Sequence, residues 1–296
     1  MINFRYHVVS IIGIFVALAV GVVLGAGPLQ SRIHQGVGST GTSAAADPTL
    51  SAQADAEAAG LKALASSKLT GSLAGSQVSL LVLPGASDDD VASIRSTLTD
   101  AGASVVGRVT LTDNWESTSM NQYRTTLSTT LASHLASSAT KTASADGIVG
   151  YSIAQVLSAS GAETDLLRQI LTDESTPIMR IDEEPAGSAT KLVAIGPRAQ
   201  TTLSSASPAA VTKSSDAWVG LAQAIGSTSG VVVGDASSRD AMVTQLRGSG
   251  TSVTTVDSVG TTLAAVATAL ALSQNGSGAR AFGVGNGAQS VIPNVK

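Results

Sequence analysis

The side chains that could do chemistry are few, and most of them stand alone. His7, His34 and His134 are far apart in the chain and share no metal-ligand spacing. Cysteine is absent, which removes disulfides, thiolate zinc sites, iron–sulfur clusters and cysteine nucleophiles. No Ser-His-Asp order stands out, and H-x-x-E does not occur. The residues therefore predict no enzyme, no cofactor and no resident metal. The glycine loops are the remaining candidates. Gly283, Gly285 and Gly287 in GVGNG resemble half of a phosphate cradle, without the following helix or the Lys-Ser/Thr of a P-loop. Gly85 and the pair Gly234-Asp235 each close an apolar run, where a doubly wound sheet presents its carboxyl edge to ligands. A tight turn that needs glycine accounts for the same residues. Trp115, in the polar stretch TDNWES, reads either as an anchor for a protein partner or as a plug at the edge of a sheet.

The elements that must position these residues alternate in type. Residues 77–83 (QVSLLVL) have the pattern of a buried strand. The triplet Asp88, Asp89 and Asp90 opens a helix, its acids capping the positive end and facing solvent, and the helix stops at Gly102. Residues 104–111 (SVVGRVTL) form the next strand. Late in the chain, 230–234, 235–246 and 251–256 repeat the order strand, acid-capped helix, strand, which suggests an internal βαβ duplication. Helices are predicted at 120–138, 147–158, 164–171, 215–225 and 262–272, with strands at 191–196 and 281–284. This alternation defines an α/β class: a mostly parallel, doubly wound, Rossmann-like domain over residues 77–296.

Residues 8–29 (VVSIIGIFVALAVGVVLGAGPL) carry no charge. As a helix they are about 33 Å long, enough to cross a hydrocarbon core of roughly 30 Å. The run exceeds a signal-peptide core, and Pro28 hinders cleavage after Gly27, so it reads as an uncleaved anchor. Gly13, Ala17, Gly21 and Gly25 recur every fourth residue and form a packing stripe for a second helix, from another copy or another protein. Residues 1–7 are then a cytoplasmic tail, and the α/β domain lies outside the membrane. Residues 30–76 comprise a Gly/Ser linker and an Ala-rich helix in which Leu50, Ala54, Glu57, Leu61, Leu64 and Lys68 follow heptad spacing. The net charge is −4 with dispersed basic residues, which argues against nucleic acid as a partner.

The opening MINFRYHVVSIIGIFVALAVGVVLGAGPLQ resembles the N-terminal signature of the actinobacterial MctB family. SLLVLPGA with DAGASVVGRVTL is similar to the family's first βαβ, and the stretch from VDSVGTTLAAV to the Gly-rich tail resembles its ending. The resemblance implies copper export or tolerance, in some members as an outer-membrane protein. For a SteB-like member it implies a membrane partner resembling SteA and control of a peptidoglycan hydrolase at division. The family's coiled coil is replaced here by a Gly/Ser linker and a weak seam. Copper(I) prefers Cys or Met sulfur and copper(II) clustered imidazole, and this chain has neither Cys nor a His cluster. The sequence also lacks the long alternating strands of a transmembrane barrel. The expectation is thus a non-catalytic, single-pass interaction protein of the cell membrane, homodimeric or joined to a membrane partner. Direct copper handling, with an outer-membrane location, and a small-ligand sensor are the alternatives.

Overall fold

The computed structural model describes residues 48–136, 143–199, 212–274 and 280–294. The chain divides into two units, residues 1–51 and 52–296, and the second carries the fold. The uncharged run 8–29 with its small-residue stripe lies outside the described residues, as does His34. Among the described residues no helix is long and apolar enough to cross a membrane.

The elements follow in the order α1 (Pro48–Leu69), β1 (Gln77–Val82), α2 (Asp88–Asp100), β2 (Ser104–Leu111), α3 (Asp113–Glu116), α4 (Asn121–His134), α5 (Ala145–Ser158), α6 (Ala162–Leu171) and β3 (Met179–Glu183). They continue with β4 (Lys191–Ile195), α7 (Ser215–Ser227), β5 (Val231–Val233), α8 (Met242–Gly248), β6 (Thr254–Val256), α9 (Thr262–Ser273) and β7 (Ala281–Phe282). The strands form one seven-stranded sheet in the order β3-β2-β1-β4-β5-β6-β7. All pairs are parallel except β2 with β3. The expected α/β class and mostly parallel sheet are therefore observed.

Alternation along each strand divides the core in two. Leu81, Val109, Ala194 and Val232 point to one face, which α4 to α8 cover. Leu80, Val82, Ile195, Val231 and Val233 point to the other, covered by α2, α9 and the end of α1. The crossover β1–α2–β2 steps one way across the sheet with its helix on the second face. The crossovers β4–α7–β5 and β5–α8–β6 step the other way with helices on the first face, so all three share one hand. The connection β6–α9–β7 departs from them. It steps in the same direction as its predecessors but lays α9 beside α2, on the second face. The reason is coverage: without α9, Ile195, Val233 and Val256 would face water. Residues Ala264 to Leu272 of α9 are accordingly buried without interruption.

Two expectations need correction here. The antiparallel edge strand β3, with sequence MRIDE, reads as no strand because four of its five residues are polar or charged or Met, yet it closes the sheet against β2. The second βαβ unit is also much shorter than the first. Its helix has 7 residues against 13, because 235–241 is a loop and the helix begins at Met242. The Asp235 side chain accepts a hydrogen bond from the Ser237 amide at 2.7 Å. The bond has the i to i+2 form of an Asx turn, and the chain continues as a loop until Met242.

Candidate functional site

A parallel sheet opens a crevice where neighbouring strands send their following loops to opposite faces. This sheet has two such places. At the first, β1 leads to α2 on one face and β4 leads toward α7 on the other. Pro197 and Arg198, which follow β4, pack here against the β1–α2 loop and the first turn of α2. Pro197 stands 3.5 Å from where a Cβ on Gly85 would lie. Arg198, also after β4, donates Nε and Nη2 to the two carboxylate oxygens of Asp90 at 2.8 and 2.6 Å. The Asp90 carboxylate raises the Arg198 guanidinium above its ordinary value. Asp90 is thus a buried half of an ion pair and not the solvated cap the sequence suggested, while Asp88 and Asp89 remain in the first turn.

The second switch exists only because α9 crosses to the far face. Here β5 leads to α8 and β6 leads to α9, and their loops part. Between them lies a cleft of about 490 Å³, within the range of small-molecule sites. Asp235, Ala236 and Ser237 line it after β5, Asp257, Ser258 and Val259 after β6, and Val284, Gly285 and Asn286 after β7. Ala199 joins them after β4. The structure therefore brings Asp235 to a cleft, with Gly234 just before it. Gly85 is not part of that lining. Gly234 itself serves packing: a Cβ there would meet the Met242 Cε at 2.7 Å, and one on Gly196 would meet the same methyl at 2.8 Å.

Asp257 organises the wall of this cleft and carried no signal in the sequence. Its carboxylate is buried and accepts from Ser258 Oγ at 2.7 Å, the Val284 amide at 2.8 Å, the Gly285 amide at 3.0 Å and Arg247 Nη1 at 2.9 Å. Arg247 spends its other donors on Thr255 Oγ1, Asn286 O and Phe282 O. Burial pushes the Asp257 carboxyl up, but the bonds from Ser258, Val284, Arg247 and Gly285 outweigh it and hold the group below the usual aspartate range. The GVGNG loop thus turns the Val284 and Gly285 amides onto an internal carboxylate, while the Gly283 amide donates to Ser290 O. A Cβ on Gly283 would lie 2.1 Å from Asp257 Oδ1, so only glycine fits there. The phosphate-cradle expectation is corrected: the amides are already spent.

The other candidates are structural. Trp115 is 1% exposed and belongs to the core, so it offers no surface to a partner. Beside it, buried Glu116 accepts from Trp218 Nε1 at 2.8 Å and pairs with Lys213 Nζ at 2.6 Å. Arg124, fully buried, donates to Asp146 Oδ1 at 2.6 Å and to the carbonyls of Asn114 and Ser117. This polar knot ties α3 to α4, α5 and α7. His134 contacts Glu163 through Nδ1 at 2.6 Å at the end of α4. Among the described residues no group of three His, Cys, Asp or Glu side chains converges as a metal site.

Fold and cleft together define a doubly wound α/β protein with its open crevice displaced from the usual switch point. The chain belongs to the family described as copper transport outer membrane protein, MctB, whose model matches residues 1–293. No curated protein matches the chain.

Proposed function

We propose that the chain is a single-span envelope protein serving copper homeostasis as a non-enzymatic recognition module, tethered by residues 8–29 with the α/β domain outside the membrane. The family description supports the envelope and copper parts of this reading. The observation that carries the recognition part is the outward seam of α1. Leu64 is 77% exposed, while Ala65 and Leu69, on a different side, hold the helix end against the core. An apolar side chain held outward on an anchored helix fits a partner surface, a second copy or a membrane protein.

Copper chemistry favours an indirect role for this domain. The described methionines, Met120, Met179 and Met242, sit on separate elements, and the last two are core residues, so no soft-ligand pair faces solvent. Direct export or tolerance fits the family description at least as well as the division role, in which a partner resembling SteA and a peptidoglycan hydrolase would use the same α1 seam. The test is a photo-crosslinking residue at Leu64 of the full-length protein in its own membrane. A discrete adduct, identified by mass spectrometry, is expected, and Leu64→Glu should abolish co-purification of the same chain. An adduct yield no higher than from Lys62, exposed on the other side of the helix, refutes the reading, and the captured chain separates the copper from the division variant.

A further inference from the structure

We propose that the cleft between the β5 and β6 loops binds a small organic cation, an amine that also carries hydroxyl groups. This goes beyond the tethered-partner reading, since the cleft fills or stays empty whatever α1 contacts.

Position comes first. Ligands of doubly wound sheets sit where adjacent loops part at the carboxyl edge. At the first such place Pro197 and the Arg198–Asp90 pair pack against the β1–α2 connection, and the reversed path of α9 opens another place, of about 490 Å³. Charge then selects the ligand. Nucleotides and other phosphates need free amides or cations, but the Val284 and Gly285 amides and Arg247 are committed to Asp257. Arg198 is likewise committed to Asp90. Further along the β5–α8 loop the exposed Arg239 and Asp240 offset each other. Of the two charged side chains that line the cleft, Asp257 is saturated and Asp235 is the one left to meet a ligand. One of its oxygens accepts from the Ser237 amide at 2.7 Å, and among the described residues nothing pairs with the other. A half-buried carboxylate with a free oxygen attracts a positive hydrogen-bond donor. Ser237 and Asn286 add hydroxyl and carboxamide groups, and Val259 and Val284 supply apolar walls for a carbon skeleton.

Three sugars of similar size and different charge test this on the full-length protein in detergent micelles, by calorimetric titration at neutral pH. Glucosamine should bind, N-acetylglucosamine should bind more weakly, and glucose 6-phosphate should not bind. Asp235→Asn, which keeps the bond to the Ser237 amide, should weaken glucosamine about tenfold or more, the size of one charge-assisted hydrogen bond. Val284→Trp, at a position 70% exposed and so without cost to folding, should block the cleft altogether. The proposal is overturned if no probe binds, if glucose 6-phosphate binds best, if the neutral sugar matches the amine, or if either variant binds as the parent does.

Discussion

A carboxylate that accepts four hydrogen bonds in a site nearly closed to water cannot be removed cheaply, and Asp257 is such a group. Asp257→Ala leaves Arg247 buried without its counter-charge and should cost about 3–5 kcal/mol of unfolding free energy in urea titrations. The pH dependence follows from the lowered carboxyl. Its contribution is fully present above the unfolded aspartate value of about 4, and is lost as pH falls through the lower folded value. The parent should therefore lose melting temperature over that acid window, and Asp257→Asn should flatten the slope there while lying lower at neutral pH. At this scale the sequence was legible for backbone and mute for partners. GVGNG reads as a tight turn or half a phosphate cradle, and the amides that converge there are those of Val284 and Gly285. Nothing in the spacing said that the anion would come from a residue 27 positions earlier in the chain. Trp115 shows the same limit: TDNWES looks polar, yet α3 turns the indole inward while Asp113 and Ser119 stay at the surface.

Helix contacts in this molecule are set by what is missing as much as by what is present. A Cβ on Gly220 of α7 would lie 2.4 Å from the Asp146 carbonyl carbon in α5, and one on Gly150 of α5 would lie 2.6 Å from Gly220 O. The two helices cross backbone to backbone. Gly220→Ala must push them apart and should destabilise by at least 1–3 kcal/mol, roughly the cost of overpacking a core. Gly60→Ala, in the exposed part of α1 where nothing lies within 4 Å, should act in the opposite sense and raise local helix stability by about 0.5–1 kcal/mol, read by hydrogen exchange. Edge strand β3 is framed by ion pairs from Arg95, Arg108 and Arg168 to Glu183, Asp182 and Glu184. The Arg95 hydrogen bond lowers the Glu183 carboxyl against a smaller opposing effect of burial. More than a third of each partner's side chain is exposed, so Arg95→Ala should cost under about 1 kcal/mol. Long apolar elements such as β1, α7 and α9 were legible from periodicity alone. Strand β3 was not, because its polar residues are paired by distant arginines, and the start of α8 was not, because 235–241 runs as a loop before the helix begins at Met242.

For the whole molecule, the class of the sheet was legible and the path of its last crossover was not. Alternating strands and helices imply a doubly wound sheet, but no local pattern says that α9 will return to the α2 face. That choice is made by the uncovered apolar surface of β4, β5 and β6, and it creates the cleft. The run 8–29 is uncharged and long enough, as a helix, to cross a hydrocarbon core, and the chain's family is described as copper transport outer membrane protein, MctB. The account joins these by assigning recognition to the α/β domain and its α1 seam, with copper reached through a partner. The measurement that bears most directly on this claim is the copper content of the full-length protein after loading with Cu(I) or Cu(II) and removal of free ion by gel filtration. The account predicts retention far below one copper per chain, unchanged by replacing Met120 or His134. One copper held per chain through gel filtration, and lost on replacing those side chains, contradicts it.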